Sequence, residues 1–227
     1  MSIHAQRFKL HAKKIGVLLR AARLSTSKSI KECAEAVGVS KSTYRSYETG
    51  KKAPSYPEIE ALAYFLDILP NYFRGHETLT EETNGKEERR LDSRFLTIRH
   101  RVIGASIHQA RKNADLSRAG LSRETGISSS TLKKSEAGER PIPLPELEVI
   151  AEALQLPIST FQDEDGPVGR WVNEQLAIQA FFELSPEIQD FIIKPINRPY
   201  LELAQRLSEM SVEKLRSVAE GLLDITL

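Results

Sequence analysis

Along the first seventy positions, apolar residues recur at helical spacing, and no strand-like alternation competes with it. Phe8, Ile15, Leu18, Leu19 and Ala22 mark a first helix. Ser29 stands three residues before Glu32, the spacing of a capping box, and opens a second helix with Ile30, Cys33, Ala34 and Val37 facing inward. Gly38 is a suitable stop for it, because glycine accepts a positive φ. Ser40 caps a third helix with Tyr44 and Tyr47 inward, Gly50 ends it, and Lys51-Lys52-Ala53-Pro54 forms a loop. Pro57-Glu58 opens a fourth helix carrying Ile59, Leu62, Ala63 and Leu66, and a short helix around Asn71-Tyr72-Phe73 closes the set.

The pattern then returns 88 positions later. Residues 15–73 superpose on 103–161 without a gap, with 17 identities in 59 positions. The identities fall at turns, caps and charged positions as well as apolar ones: Gly16/Gly104, Arg23/Arg111, Ser40/Ser128, Glu48/Glu136 and Pro57/Pro145 are among them. In the second copy Ser117 caps, Gly126 turns, Ser128 caps again and Gly138 stops, with Leu121, Leu132, Leu147, Ile150 and Leu154 apolar. Ser117 has Gly120 where the box needs an acid, so this second helix has the weaker start.

The periodicity divides the chain into 1–74, a polar linker 75–94, a second copy 95–165 and a helical tail 166–227. The linker is rich in Glu, Thr and Gly and reads as a tether, unless Glu87–Arg94 extends the following helix. A tether of this length has a root-mean-square span of about 25 Å. Fully stretched, it reaches about 70 Å, so the linker alone leaves the distance between the two copies open. In the tail Trp171, Leu176, Phe181 and Phe182 precede a Ser185-Pro186-Glu187 helix start, and Val212, Leu215 and Val218 mark a last helix. So few residues cannot readily bury that apolar surface alone, which predicts a homodimer through the C-terminal helices or docking on another module.

Composition and charge narrow the possibilities further. The 40% hydrophobic and 28% charged content, with no long apolar run and no signal-peptide pattern at the start, predicts a cytoplasmic protein without a membrane span. The single Cys33 excludes an intrachain disulfide and a cysteine-rich metal site. The net charge of +1 hides an uneven distribution: residues 1–74 carry 13 basic against 6 acidic residues, and residues 95–165 carry 9 against 10. A local basic surface is what attracts phosphate, and it lies in the first copy. The five histidines are scattered, and no phosphate loop, nucleophile elbow or paired metal-ligand motif is present, so no cofactor and no enzymatic activity are expected. His100 and His108 read as phosphate contacts or plain surface residues.

A short helix, a glycine turn and a serine-capped helix follow the helix-turn-helix plan. The run Gly38-Val39-Ser40-Lys41-Ser42-Thr43-Tyr44-Arg45-Ser46-Tyr47-Glu48-Thr49-Gly50 and its copy resemble the phage repressor and Cro-type (XRE) family, over about 59 residues each. The resemblance implies an all-α chain: two five-helix, lambda-repressor-like helix-turn-helix domains followed by a C-terminal helical region. It implies a double-stranded DNA partner and a third helix that enters the major groove by its N-terminal end. Carried over by position, Lys41, Ser42, Arg45 and Ser46 face bases, and Thr43 and Lys52 face the backbone. In the second copy Ser129, Ser130, Lys133 and Lys134 face bases, and Thr131 and Arg140 face phosphate. Where the family often has a phosphate-binding Gln, this chain has Ile30, which donates nothing, and Arg118, a charged substitute. The family's aromatic or leucine before Glu is Tyr47 in the first copy but Ser135 in the second. The resemblance also implies structural salt bridges Arg23–Glu48 and Arg111–Glu136, each spaced by 25 residues.

Two functional readings follow. In one, both copies read DNA as a transcriptional regulator. In the other, only the first binds DNA, and the second copy and tail mediate dimerisation or hold a protein partner.

Overall fold

A computed structural model describes residues 3–75, 91, 92 and 94–216. The expected linker lies largely outside the described residues. The first copy comprises α1 (Ile3–Ser25), α2 (Ile30–Ala36), α3 (Lys41–Glu48), α4 (Tyr56–Leu66) and a 3-10 turn (Pro70–Arg74). The second comprises α5 (Phe95–Asn113), α6 (Arg118–Thr125), α7 (Ser129–Glu136), α8 (Leu144–Ala153) and a 3-10 turn (Ile158–Phe161). Then come α9 (Pro167–Phe182), α10 (Pro186–Ile193) and α11 (Arg198–Ser208), with a 3-10 turn (Pro195–Asn197) between the last two. Among the described residues the architecture is all-α, with one isolated bridge and no strand. No described helix is long and apolar enough to cross a membrane.

Local chemistry sets the helix ends. Glu32 accepts from the Ser29 N–H at 2.8 Å while Ser29 Oγ accepts from the Glu32 N–H at 3.2 Å. That reciprocal box satisfies two of the donors a helix start leaves open. Ser117 Oγ accepts the Gly120 N–H at 2.9 Å, with no acidic side chain at that position to return the bond. The turns into α3 and α7 pass through Gly38 and Gly126 at φ +64 and +71, a region that side chains disfavour. Gly16 and Gly104 act by size instead: a Cβ on either would collide with the carbonyl oxygens that end α3 or α7. These glycines let the first helix of each copy lie directly across its third.

Leu19, Tyr44, Ile59, Leu62, Leu66 and Phe73 are fully or nearly fully buried in the first copy, and Ile107, Leu121, Leu132, Leu144, Leu147 and Phe161 in the second. They belong to one continuous apolar core, because the copies pack together within a single unit, residues 1–172. Helix α4 packs on α5, and α8 packs on α1. Arg99 donates to both Glu60 oxygens at 3.1 and 3.0 Å and to the Phe161 carbonyl at 2.6 Å, with side chains only 7% and 2% exposed. His11 Nδ1 lies 2.8 Å from Glu148, and Arg7 pairs with Glu152 at 2.9 Å. A tether alone gives the two copies no fixed relation; these contacts give them one. The start of α9 belongs to the same unit: Trp171 meets Tyr64 edge-on at 5.5 Å, and Asp163 accepts the Val168 and Gly169 N–H groups at 3.1 Å each.

Residues 173–227 form a second unit. Ser185 caps α10 with Pro186 at its first position. None of its described residues is buried, and Phe182, Ile188, Phe191, Ile193, Tyr200 and Leu203 are exposed.

Candidate nucleic-acid interface

Helix α3 presents its N-terminal end to solvent. Ser40 Oγ accepts the Thr43 N–H at 3.1 Å and lies 2.8 and 3.0 Å from the hydroxyls of Ser42 and Thr43. Lys41, Ser42 and Arg45 are exposed, and among the described residues neither cation has a carboxylate within ion-pair distance. Ser46 is half-buried and donates to the Ser42 carbonyl at 2.9 Å, which turns its hydroxyl back onto the helix. Exposed Lys51 and Lys52 continue the basic edge beyond the helix. An exposed helix N-terminus, two long cations and a hydroxyl together make a surface suited to guanine edges and phosphate.

Helix α7 carries the same scaffold. Ser128 Oγ accepts the Thr131 N–H at 3.1 Å, and Ser129, Ser130, Lys133 and Lys134 are exposed. Ser129 lies near the Arg118 carbonyl at 3.4 Å, and Thr131 is half-buried against Ser128.

Behind each helix end sits an Arg–Glu clamp. Arg23 donates to Glu48 at 2.6 and 3.3 Å and to the Lys28 carbonyl at 3.1 Å. Arg111 repeats this on Glu136 at 2.6 and 3.1 Å and on the Leu116 carbonyl at 2.7 Å. A bidentate arginine fixes the carboxylate and so joins the first helix of each copy to the end of the third. The second clamp is larger. His108 Nδ1 lies 3.0 Å from Glu136, and Arg118 donates to it at 2.9 Å. Burial works against ionisation of Glu136, but the hydrogen bonds from Arg111, His108 and Arg118 prevail and hold its carboxyl down to about 2. His108 is therefore more than a plain surface residue: one ring nitrogen completes the clamp while the side chain stays partly exposed.

The two copies differ most in the charges available for phosphate. Arg118 is drawn onto Glu136, and Arg140 forks onto Glu146 at 2.7 and 3.0 Å. Lys52, the equivalent of Arg140, has no such partner among the described residues, for a traceable reason. Glu58, the equivalent of Glu146, is occupied by the Ser55 N–H at 2.6 Å, the Ser55 hydroxyl at 2.7 Å and the Tyr47 hydroxyl at 2.8 Å. In the second copy Pro143 replaces Ser55 and Ser135 replaces Tyr47, so all three donors are gone and Glu146 turns to Arg140. In the sequence, Ser135 stands out only as a departure from the family's aromatic or leucine before Glu. The acid that loses its donors is visible in the sequence as Glu58/Glu146, identical in both copies.

The expectation for His100 is also corrected. It is half-buried, with Nε2 3.0 Å from Ser55 Oγ, and burial pushes its pKa below the usual histidine range. It belongs to the contact between the copies. Cys33 is buried in the first core, and burial pushes its thiol up to about 11, so it packs as a small inert side chain.

A family model described as a helix-turn-helix domain matches residues 14–70 and again 102–161, together just over half of the chain. The chain is 32% identical over 78 residues to a Bacillus subtilis (strain 168) protein described as the uncharacterized HTH-type transcriptional regulator YobD. That match spans 34% of this chain and 67% of the relative. No solved structure matches the chain.

Proposed function

The chain belongs to the helix-turn-helix domain family, with two copies of the domain, and from that premise we propose that it is a sequence-specific double-stranded DNA-binding transcriptional regulator. The recognition helices α3 and α7 enter the major groove by their N-terminal ends. One observation carries this reading: Lys41, Ser42 and Arg45 stand exposed on α3, in the most basic part of the chain, and neither cation has a carboxylate within ion-pair distance among the described residues. Lys41 and Arg45 donate to guanine O6 and N7, Ser42 serves base or phosphate, and Thr43 and Lys52 hold the backbone. Ser129, Ser130, Lys133 and Lys134 are the counterparts on α7. The clamps Arg23–Glu48 and Arg111–Glu136 position these helices and touch no base.

A second reading has its own support. With Arg118 and Arg140 neutralised by Glu136 and Glu146, the second copy has fewer free cations for phosphate. In that reading the first copy supplies nearly all the affinity, and the second copy and tail hold a partner. The exposed apolar residues of α10 and α11 support self-association through the tail, which the molar mass of the full chain in solution tests.

Duplex binding by Lys41→Ala/Arg45→Ala and Lys133→Ala/Lys134→Ala variants over a salt series separates the two. If both copies read DNA, each double change weakens binding and flattens the salt dependence by nearly two charges. An effect confined to the first pair selects the second reading. No effect from either pair rejects DNA recognition by these helices.

A further inference from the structure

The contact between the two copies is two-fold in character, although the copies follow one another in sequence. The isolated antiparallel bridge joins Ser55 to Pro143, and these occupy the same position in the two copies. Leu144 N–H donates to the Pro54 carbonyl beside it at 2.9 Å. Exchanging the copies turns the α4–α5 contact into the α8–α1 contact, and both are present. The same exchange turns Arg99–Glu60 into His11–Glu148, and both pairs are formed, at 3.0 and 2.8 Å. An interface whose contacts map onto themselves under exchange of partners is the isologous contact of a two-fold dimer. Here it lies inside one chain, with its axis beside Ser55 and Pro143.

That axis is close to both recognition helices. Gly50, just past α3, is five residues before Ser55, and Gly138, just past α7, is five before Pro143. Each stretch spans at most about 18 Å. With the bridge itself adding about 5 Å, the ends of the two helices lie within about 40 Å of each other. One turn of duplex is about 34 Å. The helices differ in what they present, Lys41, Ser42 and Arg45 against Ser129, Ser130 and Lys133.

We propose that a single chain reads two unlike half-sites placed in inverted order, about one helical turn apart. This rests on the DNA-binding reading and adds the form of the site. A flexible tether would set neither order nor spacing, and a tandem sequence taken at face value would suggest direct repeats.

The test begins with selection by the full chain from duplexes with a randomised centre. A DNA-cleaving iron chelate is then attached at Thr49→Cys or, separately, at Ala137→Cys. These are exposed equivalent positions at the ends of α3 and α7, and the native Cys33 is buried and does not compete for the label. On the selected duplex, the two variants are expected to cut in patterns that are mirror-related about one centre, on opposite strands. Inserting about five base pairs at that centre should lower affinity about a hundred-fold, since it rotates one half-site to the far side of the helix. Two patterns displaced along the same strand, unaltered binding after the insertion, or cleavage from Thr49→Cys alone would overturn the inverted arrangement. Selection of no sequence would instead overturn the DNA-binding reading beneath it.

Discussion

Glu136 gathers Arg111, His108 and Arg118 around one carboxylate, where Glu48 binds Arg23 alone among the described residues. Its carboxyl is depressed from an ordinary 4.5 to about 2 in the fold. A depressed carboxyl stabilises the protein above the unfolded value, and the contribution is lost as the pH falls from about 4.5 towards 2. Thermal melts should therefore show the wild type losing stability through that window, with Glu136→Gln lower at neutral pH but flatter below it. Equal slopes for the two proteins would count against the clamp. Gly16 and Gly104 make a steric prediction. Alanine at either position must push α1 off α3, or α5 off α7, at a cost of about 1–3 kcal/mol, read from urea unfolding. A neutral effect would show that the helices do not cross so closely. At this scale much was legible in the sequence. The caps and turn glycines announce themselves by residue type and spacing. The exchange of partners by Glu146 was not legible, because it follows from two replacements, Ser135 and Pro143, acting on a third residue that does not change.

As elements, α3 and α7 share a cap, a length and a place in the fold, but the arginines that flank α7, Arg118 and Arg140, are held by Glu136 and Glu146. The difference predicts a gain of function. In Glu146→Gln the counter-charge on Arg140 is removed, so the second copy acquires a free cation at a position suited to phosphate. Duplex affinity at low salt should rise, and the plot of log affinity against log salt should steepen by about one unit. An unchanged slope would mean that Arg140 lies away from the backbone. Helix α4 shows where element-level reading falls short. Its apolar pattern gave its helical character and inner residues, yet Glu58 and Glu60 are buried too. Periodicity ranks them as solvent-facing, and only their distant partners, Tyr47, Arg99 and the Asp163 N–H, explain why they are not.

For the whole molecule, the repeat disclosed two copies of one domain but not that they dock. Docking depends on pairs such as Arg99–Glu60, 39 residues apart, and His11–Glu148, 137 apart, which leave no periodic trace. Arg99→Met should leave Glu60 buried without its cation and lower the stability of the 1–172 unit by about 3–5 kcal/mol. Denaturant unfolding of the wild type should show the two copies melting together, and separate transitions for each would argue against a shared core. Recognition of duplex DNA through the major groove by the start of α3 is most directly tested by groove-specific methylation. Methylation of guanine N7 reports on the major groove and methylation of adenine N3 on the minor groove. On a duplex selected by the full chain, bound protein should shield particular guanine N7 positions, and Lys41→Ala/Arg45→Ala should restore their methylation in one half of the site. Shielding confined to adenine N3, or guanine shielding that survives loss of both side chains, would contradict it.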